Sequence, residues 1–145
     1  MSPTQSDRTE PMLTLWLDPV CPFSWNTARW LRGVAEKTGL AIDWHLMSLA
    51  VLNEGRELPP GQQAHMRDSQ QIGRLMAAIA RDHGAAGWIA AYFAFGERHF
   101  DRSEPVSANL VAQVLMTVGA RGALAAAVSD ASLDEFVRTQ HEEGG

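Results

Sequence analysis

Apolar and polar positions change their period twice within the first fifty residues. Leu13, Leu15 and Leu17 alternate with Thr14 and Trp16, and Pro19 stops the run, which predicts a buried strand over Leu13–Leu17. From Phe23 the period becomes helical. Phe23, Thr27, Trp30, Leu31 and Val34 fall on one face, and Gly39 is a natural C-cap. Alternation then returns, with Ile42, Trp44 and Leu46 on one face and Asp43 and His45 on the other. A strand–helix–strand run with so short a crossover predicts a parallel pair and a right-handed connection.

After the turn-rich stretch 53–61 the pattern is helical to the end. Gln62–Arg81 carries Met66, Ile72, Leu75, Met76 and Ile79, and Gly84 closes it. Gly87–Phe100 is rich in aromatic residues, at helical spacing that reads as core or cleft wall. Val106–Val118 follows Pro105, a residue suited to a helix start. Arg121–Val128 is short and Ala-rich. Ser132 and Glu135 form a capping-box pattern that opens a last helix to about His141. Residues 1–11 read as a disordered leader. The expected division is 12–50 as strand–helix–strand and 51–145 as a helical insertion with a return helix. Two strands do not make a stable sheet alone. The chain ends at His-Glu-Glu-Gly-Gly, where another strand would start, so a C-terminally truncated fragment is expected.

Composition narrows the class. The chain has 145 residues, of which 46% are apolar and 20% charged, enough to bury a real core. Twelve Lys and Arg against seventeen Asp and Glu give a net charge of −5. Nucleic acid and anionic membrane are therefore not expected as partners. No apolar run approaches the ~18 residues of a membrane span, and the polar first ten residues carry no secretory signal. A single cysteine excludes an internal disulfide, and a reducing cytoplasmic location is the simplest reading.

That cysteine is the sharpest chemical feature. It lies in Asp18-Pro19-Val20-Cys21-Pro22-Phe23-Ser24-Trp25, between a strand and a helix. The first N–H groups of a helix have no intrahelical partner, and the helix dipole adds partial positive charge there. A thiolate at that point is stabilised and becomes a nucleophile. Pro22 costs nothing at the first helical position, and the Ser24 hydroxyl is placed to turn back toward the sulfur. The bland alternative is a small buried hydrophobe; the strand–Cys-Pro–helix setting favours function. Asp18 before Pro19 reads mainly as a strand terminator, with a proton-transfer role to Cys21 as the lesser option. The five histidines and Cys21 fall at no metal-site spacing, so no metal is expected.

At these residues the sequence resembles a family. Leu17-Asp-Pro-Val-Cys-Pro-Phe-Ser-Trp25 and Trp44-His-Leu-Met-Ser-Leu-Ala-Val-Leu-Asn-Glu-Gly-Arg56 are similar to the DsbA-like mycothiol-dependent nitroreductases. The resemblance implies an α/β, thioredoxin-like (DsbA-type) fold with a helical domain inserted after the second strand. It implies thiol-dependent oxidoreductase chemistry with a low-molecular-weight thiol, mycothiol or glutathione, as co-substrate and no tightly bound cofactor. Asn53 matches an asparagine that lines the family's cleft, although Asn53-Glu54-Gly55 is also good turn chemistry. Pro22, Phe23 and Asn53 are thereby candidates for substrate or thiol binding, with Cys21 and Ser24 as catalytic candidates. Three departures stand out. Phe23 and Ser24 replace the tryptophan and the resolving cysteine of the family's Cys-Pro-Trp-Cys, so a dithiol cycle within one chain is impossible. The family's later strands and cis-proline turn are absent from this chain. A family histidine aligns with Phe100, one position from His99, so its role is not carried over.

The resulting expectation is a monothiol oxidoreductase, with Cys21 resolved by an external thiol. Its partners would be that thiol and an electrophilic or disulfide substrate, with a homodimer left open. Two rivals remain: an enzyme like the kappa-class glutathione transferases and 2-hydroxychromene-2-carboxylate isomerases, in which Ser24 matches a serine, and an inactive truncated paralogue.

Overall fold

The computed structural model describes residues 12–144, with side chains as far as Gln140. The leader assigned to residues 1–11 lies outside the described residues. The molecule is mixed α/β and mostly helical, with a small two-stranded sheet. Strands β1 (Met12–Leu17) and β2 (Ala41–Leu46) pair in parallel, in register from Met12–Ala41 to Leu17–Leu46. Helix α1 (Pro22–Thr38) connects them and stops at Gly39, whose φ of 75° lets its N–H reach the Ala35 carbonyl. The parallel pair and the glycine stop agree with the periodicity.

Burial does not follow it throughout. β1 is covered only toward its end: Met12 and Leu13 are exposed, whereas Leu17 is fully buried. On α1 the buried side chains are Trp25, Ala28 and Leu31. Phe23 and Trp30, placed inward by the pattern, are 81% and 68% exposed. α1 carries two apolar stripes, and hydropathy cannot rank them. The inward one is chosen by Trp25, whose Nε1–H donates to Asp101 Oδ1 at 3.1 Å, 76 residues away.

The short helix α2 (Leu49–Leu52) is capped by Ser48, whose Oγ accepts from the N–H groups of Ala50 and Val51. Helix α3 (Pro60–Gly96) begins with Pro60 in its first turn. Gly84 interrupts its helical dihedrals with φ 74° and ψ −169°, so helical stretches lie on either side of it, as the sequence divides them. A wide turn, Glu97–Asp101, follows. Helix α4 (Ala108–Thr117) is capped by Ser107 Oγ, which accepts from Leu110 N–H at 3.1 Å. Pro105 therefore stays outside the helix it was expected to start. Gly122–Ser129 winds as a 3-10 helix. The last start is also displaced: Asp130 accepts from both the N–H and the hydroxyl of Ser132 and opens the turn Ala131–Leu133. Ser132 is thus a donor within that turn, because a carboxylate two residues earlier is the stronger acceptor. Helix α5 (Asp134–Gly144) extends past His141.

One apolar cluster joins these elements, from Leu17 and Leu46 through Trp25, Ile72 and Tyr92 to Leu110, Leu124 and Val137. Arg74 on α3 fastens the far end. Its Nε and Nη2 donate to the Asp134 carboxylate at 2.8 and 2.9 Å, and Nη1 donates to the Val128 carbonyl at 3.2 Å. Among the described residues no helix is long and apolar enough to cross a membrane.

Candidate active site

The loop between β1 and α1 is held from below by one carboxylate. Asp18 is buried, and it has three donors: Val20 N–H to Oδ1 at 2.9 Å, Leu49 N–H to Oδ2 at 2.7 Å and Ser69 Oγ–H to Oδ2 at 2.7 Å. Ser69 lies 3.0 Å from Ser48 Oγ, so the cap of α2 joins the same buried network. A buried anion without hydrogen bonds is costly, and three donors offset that cost. The strand-terminating role read from sequence is present, but Asp18 also clamps α2 and α3 to the loop. Its distant donor Ser69 carries no local sequence signal.

Cys21 follows at the N-cap of α1, with φ −88° and ψ 119°. Its N–H donates to the Asp18 carbonyl and its carbonyl accepts from Trp25 N–H, both at 3.1 Å. The side chain makes no capping bond to the helix, and no acidic residue occupies the first turn. The thiol is free and half-buried. A sulfur anion here therefore sits at the positive end of a seventeen-residue helix with no carboxylate of that turn opposing it. Arg29, the first cation along α1, is engaged elsewhere: its Nη1 donates to Asp101 at 2.9 Å.

Pro22, Phe23 and Ser24 share the first turn with Cys21; Pro22 and Phe23 are exposed and Ser24 is half-buried. Asn53 lies apart from that turn. Its Nδ2–H donates to the Leu49 carbonyl at 2.8 Å, and it lines a groove of about 350 Å³ with Arg56, Gln63 and Arg67. Cys21 does not line this groove. Leu49 is the link between the two, since its N–H holds Asp18 and its carbonyl holds Asn53. A larger groove of about 710 Å³ lies farther along α1, among Arg32, Trp44, Phe93 and Glu97.

The aromatic run divides by burial. Trp88, Tyr92, Phe93 and Phe95 are core. Trp25 packs against Tyr92, Phe93 and Phe100 at centroid distances of 5.6–5.9 Å. Gly96 makes this possible, because a Cβ there would collide with the Trp25 indole. Tyr92 is fully buried, and burial, reinforced by the charges of Cys21 and Asp18, pushes its phenol well above the usual range. Sequence reasoning read Tyr92 as core or cleft wall and assigned it no role at Cys21. Among the described residues no three His, Cys, Asp or Glu side chains converge as a metal site would require.

Comparison with known proteins adds two findings. The family model described as Rv2466c-like, mycothiol-dependent nitroreductase Rv2466c, matches residues 20–145. The chain is also 28% identical over 134 residues to the uncharacterized protein Rv2286c of Mycobacterium tuberculosis (strain ATCC 25618 / H37Rv). That match covers 86% of this chain and 55% of the relative, so the chain spans about half the relative's length.

Proposed function

The chain belongs to the Rv2466c-like family of mycothiol-dependent nitroreductases, and on that premise we propose that it is a thiol-dependent oxidoreductase with Cys21 as its single redox nucleophile. The observation that carries this reading is the placement of Cys21: a half-exposed thiol at the N-cap of α1, free of any capping bond and beside the exposed Phe23. The proposed fold is the DsbA-type thioredoxin-like one, with α2 to α5 as its helical portion. The proposed location is the cytoplasm.

In the proposed cycle the Cys21 thiolate attacks one sulfur of a disulfide substrate. A new S–S bond forms to Cys21, the old one breaks, and the departing sulfur leaves as a thiolate that takes up a proton from water. A small external thiol, proposed to be mycothiol, then attacks the mixed disulfide as its thiolate. Cys21 leaves with its electron pair, and the external thiol is oxidised. With Ser24 in place of a second cysteine, this turn cannot resolve its own mixed disulfide, and the proposed cycle assigns that step to the external thiol. Phe23 offers an apolar surface at the point where that partner approaches, and Ser24 a hydroxyl on the same turn.

The test is intact-mass analysis after exposure to mycothiol disulfide or glutathione disulfide. One thiol adduct on Cys21, released by excess thiol and absent in Cys21→Ser, is the expected result. Turnover that persists in Cys21→Ser, with no adduct on the parent chain, would instead identify a transferase that activates a bound thiol. Neither adduct nor turnover would leave the inactive paralogue.

A further inference from the structure

Tyr92 has a hydroxyl that its packing does not use. The residue is fully buried, and its hydroxyl has no hydrogen-bond partner among the described residues. Trp25, Trp88 and Phe93 surround the ring at centroid distances of 5.3–6.4 Å. A phenylalanine would make the same ring contacts without burying an unpaired polar group, which costs stability. The ring stands against the indole of Trp25, whose backbone N–H donates to the Cys21 carbonyl at 3.1 Å, so Tyr92 packs on the residue one helical turn from Cys21 and on the same helix face. Burial raises the phenol first, and negative charge at Cys21 or Asp18 would raise it further. Asp18 already receives three donors. The Cys21 sulfur receives none from its helix cap.

We propose that Tyr92 stabilises the Cys21 thiolate, its buried hydroxyl donating a hydrogen bond to Sγ whenever that sulfur is anionic. The proposal rests on the reading of Cys21 as the nucleophile, and it adds a residue that reading does not contain. The hydroxyl donates a hydrogen bond and keeps its proton, consistent with burial holding the phenol neutral. The bond exists before attack, is lost while Cys21 is tied in a mixed disulfide, and re-forms as Cys21 leaves during resolution. It therefore favours the departing thiolate as well as the attacking one. The charged groups around Trp25, on which Tyr92 packs, are Arg29 over its ring and Asp101, which accepts from its indole N–H; Asp18 lies on the loop before Cys21.

Two measurements on the full chain test it, and neither requires turnover. The first is the iodoacetamide alkylation rate of Cys21 against pH in Tyr92→Phe. The profile is expected to move toward alkaline pH, with alkylation at pH 7 slowed about tenfold, the equivalent of about one pH unit. The melting temperature should be unchanged or higher, because an unpaired buried hydroxyl has been removed. A merely structural tyrosine would give superimposed profiles, and that result overturns the proposal. The second keeps Tyr92 and so does not depend on the Tyr92→Phe variant folding. Tyr92 is the one tyrosine of the chain, so a 13Cζ-tyrosine label reports it alone. Its shift is expected to follow thiol ionisation in the parent protein and to lose that step in Cys21→Ser, while any step due to Asp18 remains. A shift that does not respond to Cys21 overturns the proposal even if Cys21 is active toward disulfides. Conversely, a coupled Tyr92 with no thiol adduct would leave this inference standing and remove the oxidoreductase reading.

Discussion

Asp18 shows how much of the site depends on one buried group. Three donors from three parts of the chain converge on its carboxylate: Val20 in the loop, Leu49 at the start of α2 and Ser69 on α3. Asp18→Ala would leave all three unpaired in a site with little access to water, and a loss of about 2–4 kcal/mol is expected. Ser69→Ala removes one of these bonds and the contact to Ser48, for about 1–2 kcal/mol. Urea unfolding midpoints at unchanged slope would measure both. The Asp18 variant should also lose control of the Cys21 turn, since Asp18 accepts from Val20 N–H and its carbonyl from Cys21 N–H. Faster and less pH-dependent alkylation of Cys21 would report that loss, whereas Ser69→Ala should keep the parent's alkylation profile.

At the scale of elements, the seat of α1 is decided by one side chain. Trp25 is 2% exposed and held by Asp101, Phe100 and the bare backbone of Gly96. Trp30, on the same helix, is 68% exposed. Trp25→Ala is expected to cost about 3–5 kcal/mol, and Trp30→Ala to stay within about 0.5 kcal/mol of the parent. Equal losses from the two would mean that the helix is turned about its axis. Gly96→Ala meets a rigid indole with no flexible end to give way. Overpacking of this kind costs about 1–3 kcal/mol, read as a lower melting temperature together with a change in tryptophan fluorescence as Trp25 is displaced.

For the whole molecule, the continuity of the apolar cluster is the dominant fact. The same core contains Leu17 and Leu46 of the strands and Leu124, Leu133 and Val137 near the other end of the chain. Tryptophans sit in both strands, in α1 and in α3 (Trp16, Trp44, Trp25 and Trp88). Far-ultraviolet circular dichroism and tryptophan fluorescence should therefore give coincident melts. Separated transitions would show that the strand–helix–strand part and the helical part unfold independently. Arg74 spans α3, the 3-10 segment and α5 with three hydrogen bonds. Arg74→Ala should lower stability by about 1.5–3 kcal/mol and shift both probes together.

Local pattern was enough for the parts governed by neighbours in sequence. The alternation around Leu15 and Trp44, the Gly39 stop, the Gly84 break and the position of Cys21 before Pro22 all depend on backbone preference within a few residues, and each is where the pattern puts it. The stripe of α1 that turns inward, the cap that opens the last helices and the partners of Asp18 depend on contacts between segments far apart in the chain. Hydropathy does not separate the stripe of Phe23 and Trp30 from that of Trp25; an indole fitted against Gly96 and tied to Asp101 buries Trp25. The same holds for Tyr92. Its spacing along α3 marks it as core or cleft wall, but only the packing of its ring against Trp25 decides that it is fully buried with its hydroxyl unpaired. Period and turn chemistry are properties of short stretches, whereas the choice between two equally apolar faces, or among several possible acceptors, is settled when distant surfaces exclude water from one another.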